Sequence, residues 1–319
     1  MTAVGAPHLR PELLPVLTLS DDERIAQIRT VQFIEHLEAG RLMRKLERLY
    51  EMPKRPRMPG LLIAGPSFSG KTTLALEFLD RHPRQDVPGE DASRIPVAFA
   101  NAPSTADVEK LFQKILDGLG CPDLGQVAPG ATRRQRILTT ARKVGLRVLF
   151  IDEIHNALNG SATKQRTLLT EIKDLSNDMQ VCIVLLGTQA AVQFTSTTEE
   201  IATRFPADWL PVWKDGGQFR GLLKAFGQAI PLRRASDLPG LSERLYEMCE
   251  GSLGQLAELL ELAATRAIRG SGRSSKGRDG QMKLDAPEEC ITKGVLDDLD
   301  WVNPSKRRNS RQERAEVAV

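Results

Sequence analysis

A short glycine-containing loop carries the residue types of a phosphate-binding site. Residues 65–72 read GPSFSGKT and fit the spacing GxxxxGK[ST] in full, after an apolar strand-like run and before the helix-like TLALEFL. Glycines let backbone N–H groups surround phosphate oxygens, and the following helix N-terminus adds partial positive charge. Lys71 is suited to bridging the β- and γ-phosphates, and the Thr72 hydroxyl to coordinating Mg²⁺. The residues predicted to bind the nucleotide from this loop are Gly65, Pro66, Ser67, Phe68, Ser69, Gly70, Lys71, Thr72 and Thr73.

Two adjacent carboxylates, Asp152 and Glu153, follow the apolar segment RVLFID. Ligands of open α/β sheets bind at the carboxyl ends of the strands, where this pair is predicted to lie. Asp152 is suited to the Mg²⁺ shell, and Glu153 to activating the attacking water. An acidic pair after a strand can also simply cap the next helix, but the phosphate loop 80 residues upstream favours the chemical role.

Two more polar positions are candidates for the same site. Thr188 and Gln189 follow the apolar segment VCIVLLG, where either side chain could orient the attacking water or merely form a turn. Arg204 follows the acidic start of a short helix. It is a candidate arginine finger for a neighbouring subunit's γ-phosphate, and the alternative is a solvated or ion-paired surface side chain.

The elements that must position these residues alternate between strands and helices. Strands are predicted at 61–64, 96–103, 147–152, 181–187 and within 208–213, and helices at 104–120, 132–144 and 163–176. The helix at 104–120 has a possible capping box at Ser104 and Asp107. Fully apolar strands between amphipathic helices predict an α/β fold, with a parallel five-stranded sheet sandwiched by helices.

Composition and breaks in the pattern divide the chain into four predicted parts. The prolines of PKRPRMPG interrupt it before the phosphate loop, and helical patterns without strands follow Trp213. The predicted parts are an N-terminal helical extension over 1–58, a nucleotide-binding α/β core over 59–213, a small all-α lid over 214–270, and a basic linker, short helix and frayed tail over 271–319.

The overall composition excludes several classes of protein. The 319 residues are 41% hydrophobic and 27% charged, which is usual for a globular protein and excludes a wholly disordered one. The longest apolar runs are too short to cross a bilayer, and the N-terminus lacks a secretory signal. The four cysteines are far apart, which indicates reduced thiols and no zinc site. A cytoplasmic location without membrane contact is expected.

The net charge of +3 is unevenly distributed. Residues 266–283 hold six basic residues and one acid, and residues 301–319 hold five basic residues and two acids. These two arms therefore carry +5 and +3, which leaves −5 on the rest of the chain. The arms are candidates for contact with a polyanion, and the alternative is a solubilising tail.

The phosphate loop, the acidic pair, the polar strand end, the Arg-Phe context and the helical lid together resemble an AAA+ ATPase. The segments RMPGLLIAGPSFSGKTT, IDEIHNALNGS, LLGTQAA, TRF, LPVW and PLRRASDL are similar to those of the TniB/TnsC group. These are ATP-dependent target-selection proteins of transposons. The resemblance covers roughly residues 20–270, and the contexts IDEIHNAL, GTQAA and LPVW point to this branch.

The resemblance implies a function. ATP and Mg²⁺ would drive assembly into a ring or helical filament on double-stranded DNA, which recruits a DDE transposase and a TniQ-like adaptor. Hydrolysis, slow and used as a switch, would drive disassembly. Within this family pattern Asp152 serves Mg²⁺, Glu153 is the catalytic base, Thr188 or Gln189 senses the γ-phosphate, and Arg204 acts in trans.

Two features of the family pattern stay open. Many AAA+ lids carry an arginine at the last position of G-x-x-R, where this chain has Gly254, so either this second sensor is absent or Arg233 or Arg234 replaces it.

The chain has no base-reading motif, so DNA contacts are expected with the phosphate backbone. The candidates are Lys110, Lys114, Lys164 and Arg166, with Arg133, Arg134 and Arg136 as a second cluster. For any single residue a solvated helix face is the better explanation, whereas some members of the group are expected to contact phosphate.

Two other functions compete with this interpretation of the sequence. A remodelling ATPase similar to clamp loaders or helicase loaders would use the same phosphate loop and acidic pair, and its partner would be a sliding clamp or a replicative helicase instead of a transposase. A regulatory scaffold that binds nucleotide without turnover is the second alternative, which the intact Glu153 disfavours.

Overall fold

The computed structural model describes residues 6–30, 33–86, 88–89, 92–121, 132–196, 198–270, 274–276, 282–284 and 287–307. These residues form two compact units. The α/β unit comprises Leu37–Pro211, and the helical unit combines the residues up to His36 with those from Val212 onward.

The elements in chain order are as follows. The strands are β1 Leu61–Ala64, β2 Val97–Asn101, β3 Val148–Asp152, β4 Cys182–Gly187, β5 Ala207–Trp209, β6 Ser274–Lys276 and β7 Met282–Leu284. The helices are α1 Asp21–Arg29, α2 Leu37–Glu51, α3 Lys71–Arg81, α4 Val108–Gly118, α5 Arg133–Lys143, α6 Ala162–Met179, α7 Gln189–Thr195, α8 Glu199–Arg204, α9 Gly217–Ala229, α10 Ser242–Cys249, α11 Leu253–Arg269 and α12 Lys293–Asp297. Short 3₁₀ helices cover Pro11–Thr18, Ile154–Leu158 and Pro239–Leu241.

The α/β unit is built on a parallel sheet with the strand order β2-β3-β4-β1-β5. Strands β1, β3 and β4 are buried along their whole length, which is why they read as continuous apolar segments. Ala64 pairs with Gly187, and Asn101 pairs with Asp152, so the carboxyl ends of the strands meet at one edge. The predicted parallel five-stranded sheet is confirmed.

Helices cover this sheet through one continuous apolar core. Leu62, Leu149 and Ile183 of the strands share that core with Ile115 of α4 and Leu168 of α6. Helix α4 begins at Val108 and not at Ser104 as predicted, because the Asp107 carboxylate accepts the Lys110 N–H and caps the helix there.

The helical unit has a separate core, to which Ile25 and Ile34 from the N-terminal segment contribute alongside Phe219 and Leu259. The residues up to His36 therefore group with the predicted lid, whereas α2 groups with the α/β unit. In α2, Leu46 is fully buried, and Tyr50 packs edge-on against Phe78 of α3. The two halves of the predicted extension thus belong to different units.

A buried ion pair joins distant parts of the helical unit. The Arg24 guanidinium of α1 is wholly buried and lies 2.6 Å from Glu289 and 3.1 Å from Asp21. Its Nη2 also donates to the Pro231 carbonyl at 3.2 Å. One side chain thereby fixes α1 to the segments around residues 231 and 289.

The predicted basic arms are only partly covered by the structure. At their described edges Arg269 pairs with Asp22 at 3.3 Å, and Arg307 stacks over Trp301. Residues 308–319 and most of the linker side chains lie outside the described residues. In the portion of the chain that is described, none of the helices combines the length and apolar character required to traverse a bilayer.

Candidate nucleotide-binding site

The predicted phosphate loop connects β1 to α3 and packs tightly against its surroundings. A Cβ atom at Gly65 would lie 2.5 Å from the Leu210 carbonyl oxygen and 2.8 Å from Ser69 Oγ, so only glycine fits there. Gly70 precedes α3 with φ of 88°, a left-handed conformation that glycine adopts without strain. These two glycines allow the loop to close around the first turn of α3, where Thr73 also lies.

The Lys71 ammonium lies inside this loop. Its Nζ donates to the carbonyls of Gly65 at 3.0 Å and Pro66 at 2.7 Å, and to Ser69 Oγ at 3.3 Å. Burial lowers the pKa of Lys71, while the negative charges of Asp152 and Glu153 act in the opposite direction. A partly desolvated ammonium favours a strongly charged oxygen ligand such as phosphate.

Thr72 and Asp152 are brought into direct contact. Thr72 Oγ1 donates to Asp152 Oδ2 at 2.6 Å, and the other carboxylate oxygen accepts the Glu153 N–H at 2.6 Å. Mg²⁺ takes only a few protein ligands, such as a hydroxyl and one carboxylate, when phosphates and waters complete its shell. The described residues contain no group of three His, Cys, Asp or Glu that could hold a metal ion alone. The donor set therefore fits Mg²⁺ bound together with a nucleotide.

Glu153 differs from its neighbour in environment and conformation. It is exposed, whereas Asp152 is buried, and its φ of 54° places it in the left-handed region. Such a conformation costs a residue with a side chain about 1–2 kcal/mol. Asn156 Nδ2 donates to Glu153 Oε2 at 2.9 Å. We did not predict this contact, although residues three apart eclipse in a 3₁₀ helix.

Thr188 and Gln189 lie at the same edge of the sheet. Gly187 ends β4 and accepts the Gly65 N–H at 3.1 Å, which places the start of α7 beside the phosphate loop. Thr188 is half-buried and precedes α7, and its side chain does not cap that helix. Gln189 is exposed. Either side chain therefore remains a candidate for contact with a nucleotide.

Phe68 gives the loop an unusual tip. Its φ is 62° and the residue is 66% exposed, so a bulky residue adopts the left-handed region without burying its ring. The predicted nucleotide-binding residues thus include one strained, solvent-facing aromatic side chain.

Arg204 lies away from the other predicted site residues. It ends α8, and its carbonyl accepts the N–H of Gly60 at 3.1 Å, which places it at the amino end of β1. The residue is 5% exposed, and its Nη2 contacts Asn177 and, at 3.4 Å, Ser176. Burial and then the charge of Arg57 lower its pKa. It therefore lies at the edge of the sheet opposite to the phosphate loop of its own chain.

The candidate DNA contacts differ in their surroundings. The side chains predicted first are all exposed: Lys110, Lys114, Lys164 and Arg166. In the second cluster, Arg134 pairs with Glu171 at 2.6 Å and with Asp178 at 2.5 Å, and Arg133 pairs with Glu109 at 2.9 Å. Much of the charge of that second cluster is therefore neutralised within the chain.

The two lid arginines considered as substitutes for the second sensor are engaged inside the helical unit. Arg233 lies 2.7 Å from Glu289, and Arg234 donates to the Glu288 carbonyl at 3.3 Å. Gly254 is the second residue of α11. Both arginines thus bind the segment that follows the basic linker.

The chain is similar to known proteins in sequence and in fold. Residues 24–215 match the family described as "Bacterial TniB protein". No curated protein matches the sequence. Among solved structures, the ORC1 protein of Aeropyrum pernix in complex with DNA is similar with a TM-score of 0.54 and 15% identity, over 91% of this chain and 70% of that one. This likeness and the strand order confirm the predicted AAA+ P-loop NTPase fold.

Two further structures are similar with lower scores. A Walker-type ATPase of Pyrococcus abyssi has a TM-score of 0.49 and 14% identity, over 76% of this chain and 72% of that one. Cdc6p of Pyrobaculum aerophilum has a TM-score of 0.48 and 12% identity, over 80% and 67%.

Proposed function

The chain belongs to the TniB family, and from this premise we propose that it is an ATP-dependent, DNA-binding regulator of transposition. It binds ATP with Mg²⁺, assembles as a ring or helical filament on double-stranded target DNA, and recruits a DDE transposase and a TniQ-like adaptor. Slow ATP hydrolysis drives disassembly. The observation that carries this proposal is the grouping of Lys71, Thr72 and Asp152 at one edge of the sheet, with Arg204 at the opposite edge.

The residues around the loop divide the work of hydrolysis. The loop N–H groups and the Lys71 ammonium bind the β- and γ-phosphates. The Thr72 hydroxyl and Asp152 hold Mg²⁺, which when bound neutralises charge on the phosphate oxygens. Glu153 accepts a proton from the water whose oxygen bonds to the γ-phosphorus, while the bond to the ADP oxygen breaks. Thr188, or Gln189 in its place, contacts the γ-phosphate or the attacking water.

The position of Arg204 supports a role between subunits. Arg204 lies at the amino end of β1, away from the phosphate loop of its own chain, which favours a role toward the nucleotide of another copy. Such an arginine adds positive charge to the transition state and makes hydrolysis depend on assembly. ATP occupancy and self-association then become coupled events.

Contact with DNA is proposed through the phosphate backbone. A filament repeats each contact in every subunit, so a few exposed lysines and arginines suffice in spite of the acidic body. Lys110, Lys114, Lys164 and Arg166 are exposed, and they are the residues we propose for this contact. The similar ORC1 protein of Aeropyrum pernix was solved in complex with DNA.

Electron microscopy with and without duplex DNA tests the proposal. We expect filaments or rings with DNA plus a non-hydrolysable ATP analogue, and none with DNA alone. Lys71→Ala removes the phosphate contact and should stay unassembled under both conditions. The proposal is rejected if the native chain remains monomeric in the presence of DNA and the analogue.

A further inference from the structure

A cavity of about 590 Å³ opens at the amino end of β1. Its lining comprises Arg55, Pro56, Arg57, Pro59, Gly60, Thr203, Arg204 and Pro206. Three of these residues are arginines and none is acidic. We refer to this cavity as the arginine pocket.

Residues 52–60 form the segment at the mouth of the pocket, and the rest of the chain holds this segment in place at both ends. Arg147 donates to the carbonyls of Tyr50 at 2.7 Å and Met52 at 3.0 Å, which fixes the end of α2 where the segment begins. At the other end, a Cβ on Gly60 would lie 2.5 Å from the ring of Phe205, so the backbone passes directly over the end of α8. Prolines in between restrict the backbone further.

The positive charge of the pocket is not neutralised by the described residues. Arg55 and Arg57 are exposed, and their guanidinium groups make no ion pair or hydrogen bond among those residues. Arg204 is nearly buried, and its Nε has no hydrogen-bond partner there. Glu200 is a nearby carboxylate, but it is held by Lys173 at 2.9 Å.

We propose that the arginine pocket binds a phosphoryl oxyanion, with the guanidinium groups of Arg55 and Arg57 at the mouth and Arg204 at the inner wall. Guanidinium groups bind phosphate oxygens through paired, charge-assisted hydrogen bonds, and a buried donor without a partner needs an acceptor. The oxyanion is the terminal phosphate of a nucleotide bound by a second copy of the chain, or inorganic phosphate. The first source rests on the proposed function, and it adds Arg55 and Arg57 to the residues that reach that nucleotide.

Calorimetry with inorganic phosphate tests the second source. Lys71→Ala serves as the background, because it disables the phosphate loop of the same chain. We expect saturable binding that the added pair Arg55→Ala and Arg57→Ala weakens at least about tenfold. Lys54→Ala removes a charge from the same exposed segment outside the pocket lining, and it should leave the affinity unchanged.

Mixing of subunits tests the first source. Arg55→Ala/Arg57→Ala protein should bind a fluorescent ATP analogue as the native chain does, but hydrolyse ATP with duplex DNA roughly a hundredfold more slowly. Adding Lys71→Ala subunits, which contribute an intact pocket, should restore hydrolysis. Lys54→Ala again serves as the control, and equal thermal midpoints verify that both variants fold.

Each pattern of results decides the inference. The oxyanion is inorganic phosphate if the calorimetry gives the expected result, and the nucleotide of a second copy if the mixing of subunits does. Phosphate binding that ignores the arginines, together with native hydrolysis by the double variant, overturns the proposal. Failure of the native chain to bind Mg·ATP or to assemble on DNA instead rejects the proposed function, and the phosphate arm still tests the pocket by itself.

Discussion

Thr72 Oγ1 lies 2.6 Å from Asp152 Oδ2, although the two residues are 80 positions apart and β4 separates their strands in the sheet. The first turn of α3 therefore reaches across the end of β4 to the end of β3. This contact unites the two motifs that carry the proposed chemistry, and it is the best single indicator that they form one site.

Loss of the Thr72 hydroxyl should weaken nucleotide binding that depends on Mg²⁺. Thr72→Val keeps the side-chain shape but removes both the metal ligand and the hydrogen bond to Asp152. We expect roughly tenfold lower affinity for a fluorescent ATP analogue in saturating Mg²⁺, which corresponds to about 1.4 kcal/mol. Thr72→Ser retains the hydroxyl and should bind as the native chain does. If Thr72→Val and Thr72→Ser bind the ATP analogue with equal affinity, Thr72 holds no metal.

Removal of the Glu153 carboxylate should separate nucleotide binding from hydrolysis. Glu153→Gln cannot accept the proton of the attacking water, so phosphate release should fall by about 10²–10⁴. Binding of ATP should persist, and complexes with DNA should last longer in a filter-binding chase. Glu51→Gln, on the exposed end of α2, is the matched control. Faster release of DNA by Glu153→Gln would contradict the assigned role.

The ion pairs of Asp208 should make the α/β unit sensitive to acid. Hydrogen bonds from Arg41, against the effect of burial, lower the pKa of Asp208 to about 2, and Lys45 lies 3.1 Å away. Because the folded-state pKa lies below the unfolded value, this stabilisation is present above about pH 4 and is lost as the pH falls toward 2.

Asp208→Asn should therefore unfold more easily at pH 7, by about 1–2 kcal/mol after allowance for solvent around Arg41. The difference from the native chain should shrink below pH 4 in urea titrations. Asp117→Asn changes an exposed carboxylate on α4 and is expected to have little effect at any pH. A deficit for Asp208→Asn that stays constant down to pH 2 would argue against an electrostatic origin.

The buried charge of Arg24 should contribute far more to the helical unit than the exposed charge of Arg233, although both contact Glu289. Arg24→Met leaves Glu289 without its buried partner and should cost roughly 3–5 kcal/mol. Arg233→Met removes a half-exposed pair and should cost about 1 kcal/mol or less. Fluorescence of Trp213 and Trp301, which both belong to this unit, can follow unfolding in urea. Similar costs for the two variants would mean that burial does not set the strength of this network.

Opposing effects also set the ionisation of Glu289. Burial acts to raise its pKa, but the hydrogen bond and charge of Arg24, with help from Arg233, outweigh it and lower the pKa. The stabilisation from this pair is accordingly present at neutral pH and lost on acidification. Acid should loosen the attachment of α1 to the rest of the helical unit.

The prediction of a phosphate loop rests on local sequence because the requirements of such a loop are local. The spacing of Gly65, Gly70 and Lys71 fixes which backbone and side-chain atoms can approach one phosphate group. The start of α4 was predicted less well, since Ser104 and Asp107 are both good capping residues. The structure selects Asp107, whose carboxylate accepts the N–H three residues on.

Apolar periodicity and motif spacing act over short distances, so they were sufficient to predict the parallel sheet, the loop at the end of β1 and the acidic pair at the end of β3. No pattern in the sequence predicted that Arg204 is buried, that Arg24 meets Glu289 265 residues away, or that Arg55 and Arg57 share a cavity with Arg204. Charged side chains acquire their partners through burial and proximity in the packed chain. Those quantities depend on every element around them and leave no local pattern in the sequence.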